Sequence, residues 1–214
     1  VVLLDYLNRS PYPAVPRPSP AAPFIPNPDA SDRHEIVIDA PADLVFYDST
    51  KLDLQSLPLV RAIFRMRAWL MSDTMEPGRK PLGLVADSMV LGWGLLAHTP
   101  CRTMVMGAVA KPWTRNVTFR AVEPDQFAAF DEPDYVKIVW TLEAEPMAPG
   151  RTRFRTETRV VATDASSRGK FLRYWLAFGI GIRIIRWSLL RELRRKAVQH
   201  HSESWHRRLQ SKAS

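Results

Sequence analysis

The best-placed pair of charged side chains in this sequence is Glu157 and Arg159, two residues apart on one β-rich run, so that strand alternation puts both on the same face. Turned outward, they form a solvated ion pair that contributes little. Turned inward, they become polar anchors for a ligand carboxylate or hydroxyl, with Tyr174 as a third candidate for anchor, acid or base. Other candidates are weaker. Cys101 has Arg102 beside it, which favours a thiolate, but no histidine adjoins it in sequence to serve as a base; a buried inert thiol is the expectation. His34 and His98 stand alone and are expected to face solvent or to be hydrogen-bonded. His200, His201 and His206 lie in a basic tail without acidic or cysteine companions, so no metal site is expected.

The chain carries no glycine-rich phosphate loop, no Gly-x-Ser-x-Gly elbow and no His-Glu-x-x-His pair, which removes the common motif-bearing enzyme classes. No cofactor is expected. With 46% hydrophobic residues, seven Trp and one Cys, the 214-residue chain can build a core without disulfides. A reducing cytoplasm is the expected compartment, with peripheral contact at the inner membrane surface as a variant, since no apolar run reaches the ~18 residues of a spanning helix. The net charge of +8 is uneven: residues 164–214 hold twelve Lys/Arg against three Asp/Glu. That segment reads either as a solvated helix face with a loose tail or as an attraction to anionic lipid. Nucleic acid is not the expected partner, because the interleaved aromatic sheet pattern of a base-stacking platform is missing.

These side chains need elements to position them. Eight prolines between Pro11 and Pro28 make residues 1–32 an extended arm or linker, expected to be poorly ordered. A domain is expected over 33–199, and a basic, frayed tail over 200–214. The domain opens with a strand from His34 to Asp39, stopped by Ala40-Pro41, then a short helix over 42–47. A second helix fits 57–71, where Leu59, Ile63, Met66 and Leu70 recur at helical spacing. Short β-rich runs follow at 84–96, 102–110, 116–122, 126–131, 136–142 and 151–163, separated by proline-bearing turns, the pattern of an antiparallel meander.

In the fifth of these runs Val136, Ile138, Trp140 and Leu142 alternate with Lys137, Val139, Thr141 and Glu143, giving one dry and one mostly wet face. In the last, Phe154, Thr156, Thr158 and Val160 oppose Arg153, Arg155, Glu157 and Arg159. Inward hydroxyls are costly unless water or a ligand meets them, although threonine also simply suits strand geometry. Asp164 or Ser166 caps a final helix running to about Gln199. Its apolar stripe runs through Phe171, Trp175, Phe178, Ile182, Ile185, Leu189 and Leu193, leaving Lys170, Arg173, Arg183, Arg191 and Arg194 to water. Alternation and helical spacing then place a ligand pocket at Ile138, Trp140, Phe154, Thr156, Trp175 and Phe178, with Met106, Met66 and Met104 as adaptable fillers; the same residues also suit a closed core.

Strand, two short helices, antiparallel strands and a long terminal helix is the element order of the START/Bet v 1-like (SRPBCC) superfamily. The opening His34-Glu35-Ile36-Val37-Ile38-Asp39-Ala40-Pro41-Ala42 resembles that superfamily's strand and Ala-Pro-Ala helix start. Gly107, Lys111-Pro112-Trp113, Phe127, Phe130, Glu157-Thr158-Arg159-Val160 and Phe171-Leu172-Arg173-Tyr174-Trp175 look like a bacterial branch of it, over residues 33–198. The resemblance implies an α+β helix-grip fold, in which a curved antiparallel β-sheet wraps a long C-terminal α-helix. It also implies a cavity holding a hydrophobic small molecule such as a lipid, polyketide or aromatic compound. Three functions follow as expectations: a carrier or binder of such a ligand; a cyclase or dehydratase using Glu157, Arg159 or Tyr174; and a protein that meets anionic membrane through Trp175, Phe178 and Trp187 with Arg173, Arg183 and Arg186.

Overall fold

The computed structural model describes residues 18–53, 56–57, 61 and 81–213, with side chains as far as residue 204. Strand β1 (Ala30–Ile38) is followed by helix α1 (Ala42–Thr50), helix α2 (Leu84–Val90), strands β2 (Gly94–Thr99) and β3 (Thr103–Ala110), the one-turn helix α3 (Pro124–Phe127), strands β4 (Val136–Ala148) and β5 (Arg151–Ala162), and helix α4 (Ala165–Ala213). The strands form one antiparallel sheet in the order β1-β5-β4-β3-β2, with α4 on its inner face: a helix-grip architecture. The helix expected over 57–71, Met66 included, falls outside the described residues.

Several elements differ from the reading of the sequence. Residues 84–90 are helical, not the start of a strand; an apolar run this short carries no decisive period. The run at 116–122 contributes one bridge, Arg120 against Val109, and the run at 126–131 gives way to α3, whose Pro124 suits a helix start. Strand β1 begins at Ala30 rather than His34. Cys101 is exposed, in a turn at φ 56° between β2 and β3, not buried. Helix α4 continues through Gly179 and Gly181 to Ala213, 49 residues or ~70 Å, where a frayed tail was expected from residue 200. Asp164 does cap it: its Oδ1 accepts from Ser167 N at 2.9 Å. Near the other end His200 Nδ1 pairs with Asp48 of α1 at 2.9 Å.

The outer sheet face, expected to be mostly wet, is covered. Ala21 and Ile25, within the proline-rich arm, pack with Leu96, Val105, Val109, Phe127 and Val139 into a second core. Beside it, charged side chains are buried in mutual pairs. Arg155 reaches Glu143 at 2.7 Å, Glu145 at 2.9 Å and Glu35 at 3.2 Å. Arg159 donates to Glu157 Oε1 at 2.8 Å and to the carbonyl of Ile25 at 3.0 Å. The signal for a covered outer face lies in β3, whose Thr-Met-Val-Met-Gly-Ala-Val-Ala is apolar on both alternations.

Candidate functional site

The inner face is built in rows fixed by strand register. Ile36, Phe154 and Ala144 form one row; His34, Thr156, Leu142 and Met104 the next; Asp32, Thr158, Trp140 and Met106 the third; Ala30, Val160, Ile138 and Ala108 the fourth. Helix α4 crosses these rows, so Leu190 and Leu193 meet the Phe154 row, and Phe171 meets Val160. Between helix and sheet lies a cavity of about 320 Å³. That is within the range of small-molecule sites, roughly 300–1,000 Å³.

Trp140, Leu142, Phe154, Thr156 and Thr158 supply its sheet side. Ile182, Ile185, Leu189, Leu190 and Leu193 supply the helix side at three- and four-residue spacing. A third side comes from Leu84, Ser88 and Leu91 at α2, together with Trp93 and Phe119. Trp93 stacks on Phe119 with centroids 4.9 Å apart and meets Trp140 edge-on at 6.2 Å. Gly92 makes that stack feasible, because at φ 99° its backbone passes so near Phe119 that a Cβ would lie 2.1 Å from the Phe119 carbonyl oxygen. The Ser88 hydroxyl is already engaged with the Leu84 carbonyl at 2.7 Å and adds little polarity to the cavity.

One charged side chain lines this apolar space. Arg186 of α4 is nine-tenths buried and donates to the Asp32 carbonyl and to Thr158 Oγ1, and its Nη1 lies 3.1 Å from Asp32 Oδ2. Asp32 also binds His34 Nε2 at 3.0 Å and lies 3.6 Å from Arg183 Nε. Burial pushes the Asp32 carboxyl up, but His34, Arg186 and Arg183 together bring it below its ordinary value. Burial lowers the Arg186 guanidinium from its usual value against the pull of Asp32 and Glu157. The guanidinium nonetheless stays charged.

Of the pocket residues expected from sequence, Trp140, Phe154 and Thr156 line the cavity together. Ile138 and Trp175 lie beyond Arg186, in a closed cluster with Val136, Val160 and Phe171. Met106 is fully buried behind Trp140, and Phe178 is half-buried, 5.0 Å from the ring of Tyr174. Glu157 and Arg159 face the other side of the sheet and are engaged with each other, so they do not reach this cavity; nor is Tyr174 among its lining residues. Arg186, Trp93 and Phe119 were missed. Arg186 does carry a signal, since it sits at the apolar helical spacing between Ile182 and Leu189. Among the described residues no group of His, Cys, Asp and Glu is placed to hold a metal ion, and no helix is long and apolar enough to cross a membrane.

No protein-family model and no curated protein sequence matches the chain. Among solved structures, protein MLL2253 from Mesorhizobium loti is 16% identical, with a TM-score of 0.35 over 80% of this chain and 98% of that one. The di-domain ARO/CYC BexL from the BE-7585A biosynthetic pathway is 15% identical, with a TM-score of 0.34 over 79% of this chain and 46% of that one. The Zhui aromatase/cyclase from Streptomyces sp. R1128 is 12% identical, with a TM-score of 0.27 over 78% and 94%. The fold assignment rests on the strand order and the long helix described above.

Proposed function

We propose that the chain binds and carries a hydrophobic small molecule, of lipid, polyketide or aromatic type, in the cavity between the inner sheet face and α4. The observation that carries this reading is the cavity itself: about 320 Å³, lined by aliphatic and aromatic side chains from the sheet, α2 and α4, with Arg186 and two threonines as its main polar groups. Burying apolar ligand surface there is favourable at about 25 cal/mol per Å². A cyclase or dehydratase would need an acid or base facing the ligand, and Glu157, Arg159 and Tyr174 do not line this space.

The neutral dye N-phenyl-1-naphthylamine tests it. Its fluorescence should rise on mixing with the full chain, and Leu189→Trp, which fills the cavity, should abolish the rise without lowering the melting temperature. An unchanged dye signal with the parent protein, or the same rise in Leu189→Trp and a second filling variant, Ile185→Phe, would refute it.

A second reading, peripheral contact with anionic membrane, is favoured by one observation. Leu172, Leu176, Ile180 and Trp187 form an exposed stripe on α4, with Leu176 81% and Ile180 67% exposed; the exposed Arg173 and Arg191 flank it, and the exposed Arg183 and Arg194 share its face. This is the pattern of an interfacial helix. It differs from the surface expected from sequence: Arg186 points inward, and Trp175 packs on Phe171 at 5.6 Å. Flotation with phosphatidylglycerol vesicles, lost in Leu176→Glu and at high salt, supports the reading. Absence of flotation, or equal flotation with phosphatidylcholine alone, refutes it.

A further inference from the structure

We propose that the cavity's ligand carries a carboxylate and that Arg186 receives it; this rests on the reading of the cavity as a ligand site. Three features of Arg186 lead there. The side chain is nine-tenths buried in a lining that is otherwise almost wholly apolar, where a charge is costly unless it is matched. Its match is incomplete. Asp32 provides one negative charge, and that carboxylate is also held by His34 and approached by Arg183, while Glu157 behind the sheet is neutralised by Arg159. The local set therefore carries an excess of positive charge.

The donors are incompletely used as well. A guanidinium has five N–H groups. One goes to the Asp32 carbonyl and one to Thr158 Oγ1, and Nη1 also lies 3.1 Å from Asp32 Oδ2. Nε–H and the second Nη2 hydrogen have no protein acceptor among the described residues, on a side chain that borders the cavity. A carboxylate accepts from guanidinium donors, and the pairing is charge-assisted. The position fits an amphiphile: Arg186 and Thr158 stand at one end of the space, and Leu52, Leu190 and Leu193 line it toward the other. The ligand class is a monocarboxylate with an apolar body.

Displacement of N-phenyl-1-naphthylamine from the full chain by dodecanoate and by dodecan-1-ol separates head from tail. Dodecanoate should displace the dye at a concentration at least about tenfold lower than the alcohol, a factor in keeping with one charge-assisted hydrogen-bonded contact. Arg186→Met should erase that preference, so that the acid and the alcohol displace the dye at the same concentration. If Asp32 left alone prevents folding, the double variant Asp32→Asn with Arg186→Met replaces the buried pair by neutral side chains and should give the same equalised result. The exposed Arg173→Gln should leave the preference intact. Equal displacement by the two ligands in the parent protein, or a preference that survives in Arg186→Met or the double variant, overturns the carboxylate assignment alone. Displacement by neither ligand overturns the cavity reading and this inference with it.

Discussion

Arg186 of α4 and Asp32 of β1 meet 3.1 Å apart, and this pair joins the middle of the long helix to an edge strand of the sheet. Apolar packing near Phe154 secures one stretch of α4, and the cluster around Phe171 secures another. The charged pair ties helix to sheet between these stretches, which makes Arg186 both a structural link and the cavity's polar end.

Removing its partner should be costly. Asp32→Ala leaves Arg186 buried without a counter-ion, and loss of one member of a buried pair costs about 3–5 kcal/mol. Urea unfolding should show this as a lowered midpoint with an unchanged slope. A loss below about 1 kcal/mol would mean that the guanidinium finds water once Asp32 is gone.

On the opposite face, Arg155 has a comparable role. It serves Glu35, Glu143 and Glu145 from a nearly fully buried position, and burial, which lowers its pKa, is outweighed by the hydrogen bonds it donates to Glu143 and Glu35. Arg155→Ala takes the bridging guanidinium from Glu35 and Glu143 and should cost about 3 kcal/mol or more. The cost should be smaller when Arg155→Ala is made in a background already carrying Glu35→Gln and Glu143→Gln. A cost unchanged in that background would contradict the ion-pair account.

The start of α4 should respond to acid. Backbone donation from Ser167 and Asp134 lowers the Asp164 carboxyl from 3.8 to about 2. A depressed folded-state pKa gives stability that is fully present above the unfolded value and lost as pH falls through the folded one. Relative to Asp164→Asn, the parent protein should therefore be more stable at pH 5, and the difference should close between pH 3.8 and about 2. A difference constant across that range would sink the assignment of this carboxylate as the cap.

Two glycines should not tolerate a methyl group. At Gly107 a Cβ would lie 2.3 Å from Leu96 Cδ1 and 2.9 Å from Phe127 Cε2, so Gly107→Ala should cost about 1–3 kcal/mol through overpacking. At Gly92 the obstruction is the Phe119 backbone, which cannot rotate aside as a side chain can. Gly92→Ala should lose more, together with the near-ultraviolet circular dichroism of the Trp93 and Phe119 stack and the dye-binding signal. Retention of both signals would show that this aromatic side of the cavity forms without the close approach.

The sheet's inner face was legible because β4 and β5 alternate cleanly, and Trp140, Phe154 and Thr156 followed from that period alone. The long helix followed from its 3.6-residue stripe. What stayed hidden depended on distant partners. Arg186 falls on the apolar stripe between Ile182 and Leu189, but the counter-ion that holds it there lies 154 residues away. Ile138 and Trp175 have the right spacing for a pocket but fall one row too far along the sheet, where the helix comes close enough to close the core. Arg153 and Arg155 read as a wet face because nothing local reveals that opposite charges on neighbouring strands neutralise them or that Ala21 and Ile25 pack on that side of the sheet. The aromatic side formed by Trp93 and Phe119 depends on a turn at Gly92, which no period signals.

Native mass spectrometry of the protein purified from cells that make it, followed by organic extraction, tests the central claim most directly. The expected result is one apolar carboxylic acid bound per chain in the parent protein and none in Leu189→Trp. A parent protein that comes through at the bare polypeptide mass, with nothing released on extraction, would contradict it.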